Sequence, residues 1–165
     1  MTVTYDPPVA SSGAKSLTLL GEEVADGGET QLPSISVPST CDEVFIRLNL
    51  EHALSEDFLL RLNGDTSASS DYEITQIDGT TESGISGFKL GKFSRVNGFI
   101  TLFELYNYIP THAFVSTYGD SNDAIPATRG KYTGGAVTSV EIHTEYSSGF
   151  EAGSYVQVFG VEYET

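Results

Sequence analysis

His52, His112 and His143 are the chain's three histidines, and no two of them have the spacing of a metal site. His143 stands between Glu141 and Glu145 on what reads as the polar side of a strand, the place of a solvated or interfacial imidazole. Serines are abundant, but no Gly-x-Ser-x-Gly elbow occurs to raise one as a nucleophile. Cys41 is the single cysteine, so no internal disulfide can form, and it reads as a small buried apolar residue. Glycosidase-type chemistry needs two carboxyl groups in one cleft, and 23 acids spread over 165 residues single out no pair. Two stretches carry the oxygen ligands that suit Ca²⁺ or Mg²⁺: Asn63, Asp65 and Asp71 around one loop, Asp120, Asn122 and Asp123 in another. Neither has the twelve-residue calcium-loop pattern, and Asn, Asp and Gly are also what turns require. Tyr118 beside Asp120 and Asn122 is the best aromatic-plus-polar platform for a glycan. No catalytic residue and no cofactor emerge, and the expectation is a protein that is not an enzyme.

The elements that would position these residues are strands. Leu59-Leu60-Arg61-Leu62 runs into Asn63-Gly64-Asp65, an apolar strand closed by a turn whose residues accept positive φ. The same sentence repeats along the chain. Val44, Ile46, Leu48 and Leu50 share one side of a strand over 43–50, with period two. Further strands are expected over 16–25, 31–37, 58–62, 72–77, 88–93, 98–108, 113–118, 128–132, 138–146 and 154–164. Pro33 makes the second an edge strand or one that begins late. The stretch 98–108 is apolar on both sides, with Phe99 and Phe103 on one and Ile100 and Leu102 on the other. That pattern asks for cover on both faces, by a second sheet on one and by a loop or a neighbouring subunit on the other. Phe103 and Tyr106 are the residues expected near that contact. No sustained 3.6 period occurs, so the expected fold is an all-β, two-sheet antiparallel sandwich with jelly-roll topology. Residues 1–14, with Pro7-Pro8 and Ser11-Ser12-Gly13, read as an extended arm ahead of one domain over 15–165.

Nine Phe and nine Tyr, with no Trp, give the chain ample core material. No apolar run approaches the length that crosses a bilayer, and the first residues lack a signal-peptide pattern. The formal charge is −15, from 23 acids against eight bases. Such a field repels nucleic acid and anionic membranes, which are excluded as partners. With abundant Ser, Thr and Gly, it fits a protein adapted to molar salt, where the screening length is about 3 Å and an acidic surface costs little. The charge is uneven. Residues 83–137 hold three acids against five bases, Lys89, Lys92, Arg95, Arg129 and Lys131, a net of +2 on an acidic chain. Such an island could dock another acidic protein.

In their order, several motifs resemble a family of jelly-roll structural proteins of tailed viruses. They are Val37-Pro38-Ser39-Thr40 leading into the strand over 44–50, and Leu60-Arg61-Leu62 closing on Asn63-Gly64-Asp65 with Tyr72 shortly after. Gly98-Phe99-Ile100-Thr101-Leu102 then runs on to Tyr106-Asn107-Tyr108. Val137 to Ile142 is followed by Phe150-Glu151-Ala152-Gly153-Ser154-Tyr155 and the closing Val158-Phe159-Gly160-Val161. Phe159 stands where the family usually has Tyr, and the family's Trp before the penultimate strand is absent, with Tyr132 near its place. The resemblance spans about residues 30 to 165. It implies a capsid decoration, turret or tail-associated component of the virion, assembled in the host cytoplasm. Such a component forms a trimer or pentamer and docks on major capsid or tail proteins. Joined to the acidic surface, it points to a virus of a halophilic archaeon. Against it stands a carbohydrate-binding jelly roll that recognises a host surface glycan, and, more weakly, a small glycan-cleaving enzyme.

Overall fold

The computed structural model describes residues 16–66, 71–76, 79–105, 110–119, 128–145 and 149–163, and over these it contains ten strands and no helix. Two of them frame the rest: β3 (Glu43–Leu62) and β6 (Phe88–Phe103). Each joins two segments that the sequence analysis separates. The reason is a bulge: β3 and β6 pair from Glu43 opposite Phe103 to Leu60 opposite Phe88, with register shifts between Glu51 and Glu56 and between Phe58 and Leu59. A bulge bends a strand without ending it, so the polar stretch after Leu50 continues β3.

The bend assigns each half of a long strand to a different layer. The first half of β3 pairs with β10 (Tyr155–Glu162), which pairs in turn with β1 (Ser16–Val24). Its second half pairs with β9 (Ser139–Thr144), and β9 with the two-residue β2 (Ile35–Ser36). β7 (Thr111–Gly119) lies beyond β6, followed by β8 (Thr128–Tyr132), β4 (Tyr72–Thr75) and β5 (Thr81–Ile85). The result is an antiparallel β-sandwich, with an eight-stranded sheet ordered β1-β10-β3-β6-β7-β8-β4-β5 and a four-stranded sheet β2-β9-β3-β6. β2 begins after Pro33, as its missing donor requires. β5 has no alternating pattern and was not expected; it adds to β4 as an edge.

Period two sorts the side chains. Val44, Ile46, Leu48, Leu50, Phe58, Leu60 and Leu62 of β3 point inward and are buried, against Ile100 and Leu102 of β6, Ile142 of β9 and Val156 and Val158 of β10. Cys41 is buried there too, over Gly160, where a Cβ would lie 2.5 Å from its Sγ. Burial, with Glu162 and Asp42 nearby, pushes its thiol pKa up, which keeps it an unreactive thiol. Tyr72 of β4 reaches across to the end of β3: its hydroxyl donates to the carbonyl of Leu62 at 3.2 Å and accepts the amide of the same residue at 2.8 Å. Tyr72→Phe strands the buried Leu62 amide, while the Leu62 carbonyl keeps the Asp65 amide at 3.0 Å, and should lower stability by about 1–3 kcal/mol, read as a shifted urea midpoint.

The arm over 1–14, Tyr106 to Tyr108, and Asp120 to Pro126 lie outside the described residues.

Candidate functional site

The Asn63-Gly64 turn has the expected backbone, with φ of 59° and 64°. The side chain of Asn63 is committed to holding the end of β3 to the entry of β9. Its Oδ1 accepts from the Thr138 amide at 2.7 Å and the Thr138 hydroxyl at 3.1 Å, and its Nδ2 donates to the Ala136 carbonyl at 2.8 Å. An amide engaged in this way is a structural clamp. Asp71 is likewise tied to Thr133, through the backbone at 2.9 Å and the side chain at 3.4 Å. Asp65 lies by the Tyr132 hydroxyl. Of the second proposed loop, Asp120 and Asn122 lie outside the described residues, and Tyr118 enters only through its pairing with Asn97. Among the described residues no group of three or more His, Cys, Asp and Glu side chains is placed to hold a metal ion.

His143 corrects an expectation. It is buried, 7 % exposed, because the sheet bend lays Arg61 of β3 beside it and Glu141 lies two residues away on the same side of β9. Arg61 Nη1 donates to His143 Nδ1 at 3.1 Å, while Arg61 Nε holds the Ser86 carbonyl at 2.8 Å. A guanidinium has no acceptor, so Nδ1 is unprotonated and Nε2–H donates to Glu141 Oε2 at 3.0 Å. Desolvation holds the imidazole pKa below its ordinary 6.5, against the pull of Glu141. Protonating Nδ1 would set two cations face to face. The unfolded chain therefore binds this proton more readily than the folded one, and the contribution of His143 to stability is present above pH 6.5 and lost as pH falls below it. The unfolding midpoint of wild type should fall over that window relative to His143→Gln, whose amide can accept from Arg61 and donate to Glu141 without titrating.

The basic island does not form one surface. Lys89 lies on the outer side of the four-stranded sheet and pairs with Glu82 at 2.8 Å, which raises its pKa. Lys92 enters only as the backbone partner of Asp57. Arg95 pairs with Glu51. Among the described side chains of the island, Arg129 and Lys131 come together, on β8, beside Phe114 and His112 of β7.

They border the most unusual surface of the molecule, the outer face of the eight-stranded sheet. Among the described residues, Leu17, Leu19, Val24, Phe99 and Phe114 are the large apolar side chains left exposed, and the strand registers put all five on this face. One row runs Leu19, Phe159, Phe45, Thr101, Phe114, Arg129; the next runs Glu22, Gln157, Arg47, Phe99, Ser116. At the centre the rings of Phe45 and Phe99 stack with centroids 5.7 Å apart, Phe159 leans on Phe45 at 6.3 Å, and Arg47 lies 5.9 Å over the ring of Tyr155. No protein-family model, no curated protein and no solved structure matches this chain. The face must therefore be read from its own chemistry. Aromatic and aliphatic side chains are held flat by a rigid sheet, with few charges among them and acids and bases at the margins. Such a surface is suited to binding.

At one end Asp42, Glu43, Phe103, Glu104, His112 and Tyr163 line a shallow, open depression. Glu104, at φ 61°, accepts from or is ion-paired with His112 Nδ1 at 2.9 Å, and the Tyr163 amide donates to Asp42 at 2.7 Å. Phe103 thus belongs to the edge of the apolar face, as the two-sided pattern of its strand suggests, while Tyr106 lies outside the described residues. Phe45, Phe159, Leu17, Leu19 and Arg47 belong to this face and do not stand out in the sequence as site residues. Their signal was the second apolar side of 154–164, visible in Tyr155, Phe159 and Val161.

Proposed function

We propose that the protein is a non-enzymatic structural component of a virus particle, a capsid decoration, turret or tail-associated subunit that associates with its own kind and docks on other virion proteins. The observation that carries this reading is the uncovered aromatic face of the eight-stranded sheet, a surface that monomeric proteins rarely leave in water. The strand order supports it. Setting β4, β5, β7 and β8 aside and counting each bent strand as two, the remaining eight segments run first-eighth-third-sixth and second-seventh-fourth-fifth, an order that favours the jelly-roll reading. The net charge of −15 fits a source rich in salt. On this reading, virus particles purified from cells that encode the chain contain it in repeated copies by mass spectrometry, and an antibody against it labels the particle surface. Particles that lack it would contradict the proposal. A second reading, a glycan-binding jelly roll, draws on the amides of Asn49, Asn97 and Gln157 beside Tyr155 and Arg47 on the same face. It expects specific retention on a glycan array.

A further inference from the structure

The outer face of the eight-stranded sheet is divided about its own middle. β3 and β6 are the central pair of the six strands β1-β10-β3-β6-β7-β8, and they carry the stacked rings of Phe45 and Phe99. On the β1 side the charges on this face are Glu22 on β1 and Glu43 on β3, with Arg47 of β3 turned over the ring of Tyr155 and Glu51 paired with Arg95. On the far side they are basic: Arg129 and Lys131 on β8, with Arg129 in no ion pair among the described residues. Lys131 is opposite Glu73 of β4 in the sheet, so Arg129 is the stronger of the two as a docking charge. Both flanks also carry apolar groups, Leu17, Leu19 and Phe159 on one and Phe114 on the other.

We propose that this face binds a second copy of the same chain, about a two-fold axis running along the strands, so that the Glu22–Glu43 half of each copy covers the Arg129–Lys131 half of the other. The inference rests on the self-association in the proposed function and names its surface. A two-fold of this kind exchanges β1 with β8, β10 with β7 and β3 with β6. It therefore lays Phe159 over Phe114, and Arg47 over the ring of Phe99, where a guanidinium is attracted to the aromatic face. It sets Glu22 of each copy diagonally across from Arg129 of the other, one outward position away along the strand, a contact made twice by one operation, which is the property of an isologous contact. A ring of three or five copies would use two different surfaces, and this face is complementary to itself. The size suffices. Five strand spacings of about 4.8 Å and about seven residues at about 3.3 Å give a footprint of roughly 550 Å², above the roughly 500 Å² per partner that a specific interface needs.

Light scattering in about molar salt tests the arrangement. Wild type is expected at twice the 17.7 kDa chain mass, and Phe99→Glu, at an outward position, should weaken association at least tenfold while keeping the far-UV spectrum and unfolding midpoint. Arg129→Glu/Lys131→Glu and Glu22→Lys/Glu43→Lys should each be monomeric alone, because each has like charges over both margins, and should form a one-to-one pair when mixed. A wild-type monomer, a trimer or pentamer, a mass indifferent to Phe99→Glu, or failure of the two charge variants to pair on mixing would overturn the proposal. So would Phe99-dependent retention of a glycan by a monomer. Pairing on mixing by a protein absent from virus particles would keep this inference and remove the virion reading; a monomer present on particles would do the reverse.

Discussion

Asn63→Ala is expected to lower stability by about 2–3 kcal/mol, a large loss for one side chain at the surface of a turn. Two costs add. The first is the hydrogen bonding: Asn63 holds the amide and hydroxyl of Thr138 and the carbonyl of Ala136, each bond worth about 1 kcal/mol where partly shielded and less where wet. The second is backbone: φ of 59° suits Asn and costs Ala about 1 kcal/mol. The contacts reach some 75 positions along the chain, from the end of β3 to the entry of β9, so losing them loosens the seam between the halves of the four-stranded sheet. Asn63→Gly separates the two costs, since glycine relieves the backbone and restores no bond; it should recover about a third of the loss. The measurement is the urea midpoint at unchanged slope. Equal midpoints for wild type and Asn63→Ala would show that the clamp contributes nothing.

Gly98→Ala should be more damaging, by about 3 kcal/mol or more. Gly98 faces the core from β6, between Leu48 of β3 and Thr117 of β7. At its φ of 155° a Cβ would lie 2.2 Å from the Ser116 carbonyl oxygen and 2.7 Å from the Thr117 Cα. Both are backbone atoms of the paired strand, so no rotamer relieves the contact; β6 and β7 must part or β6 must change its dihedrals. Either response disturbs the ladder at the centre of the large sheet and moves the adjacent Phe99. The cost combines overpacking of about 1–3 kcal/mol with ladder bonds of about 1 kcal/mol each. Gly79→Ala is the comparison: nothing lies within 4 Å of its Cβ position, and its cost should be confined to the positive φ of 87°.

Much of the sandwich was legible because period two is local. Val44 to Leu50, Val140 with Ile142, and Val156 with Val158 sort correctly by position alone, and Asn63-Gly64 announces its turn. What was not legible depends on the third dimension. Glu51 to Asp57 looks like a connection because its residues are polar, and only the pairing with β6 across a bulge shows it as a bend. His143 looks solvated because its neighbours in sequence are acids, whereas Arg61, 82 positions away, closes over it. Lys89, Arg95, Arg129 and Lys131 look like one island because they are near in sequence, whereas the fold sends Lys89 to the outer side of the four-stranded sheet and pairs Arg95 with Glu51, which leaves Arg129 and Lys131 together. The apolar outer face lay half visible in the two-sided pattern of Phe99 to Phe103. Its other half, Phe45 and Phe159, came from strands whose polar neighbours masked it.

The solution mass of the wild-type chain across ionic strength tests the central claim, that this is a self-associating subunit adapted to salt, most directly. Two bodies of charge −15 repel over a range that grows from about 3 Å in molar salt to about 30 Å in 0.01 M. The apolar contact and the ion pairs at its margins act at touching distance and are screened far less. Light scattering should therefore show a two-chain particle in about molar salt that dissociates on dilution of the salt, at constant protein concentration. A monomer at every ionic strength would contradict the account.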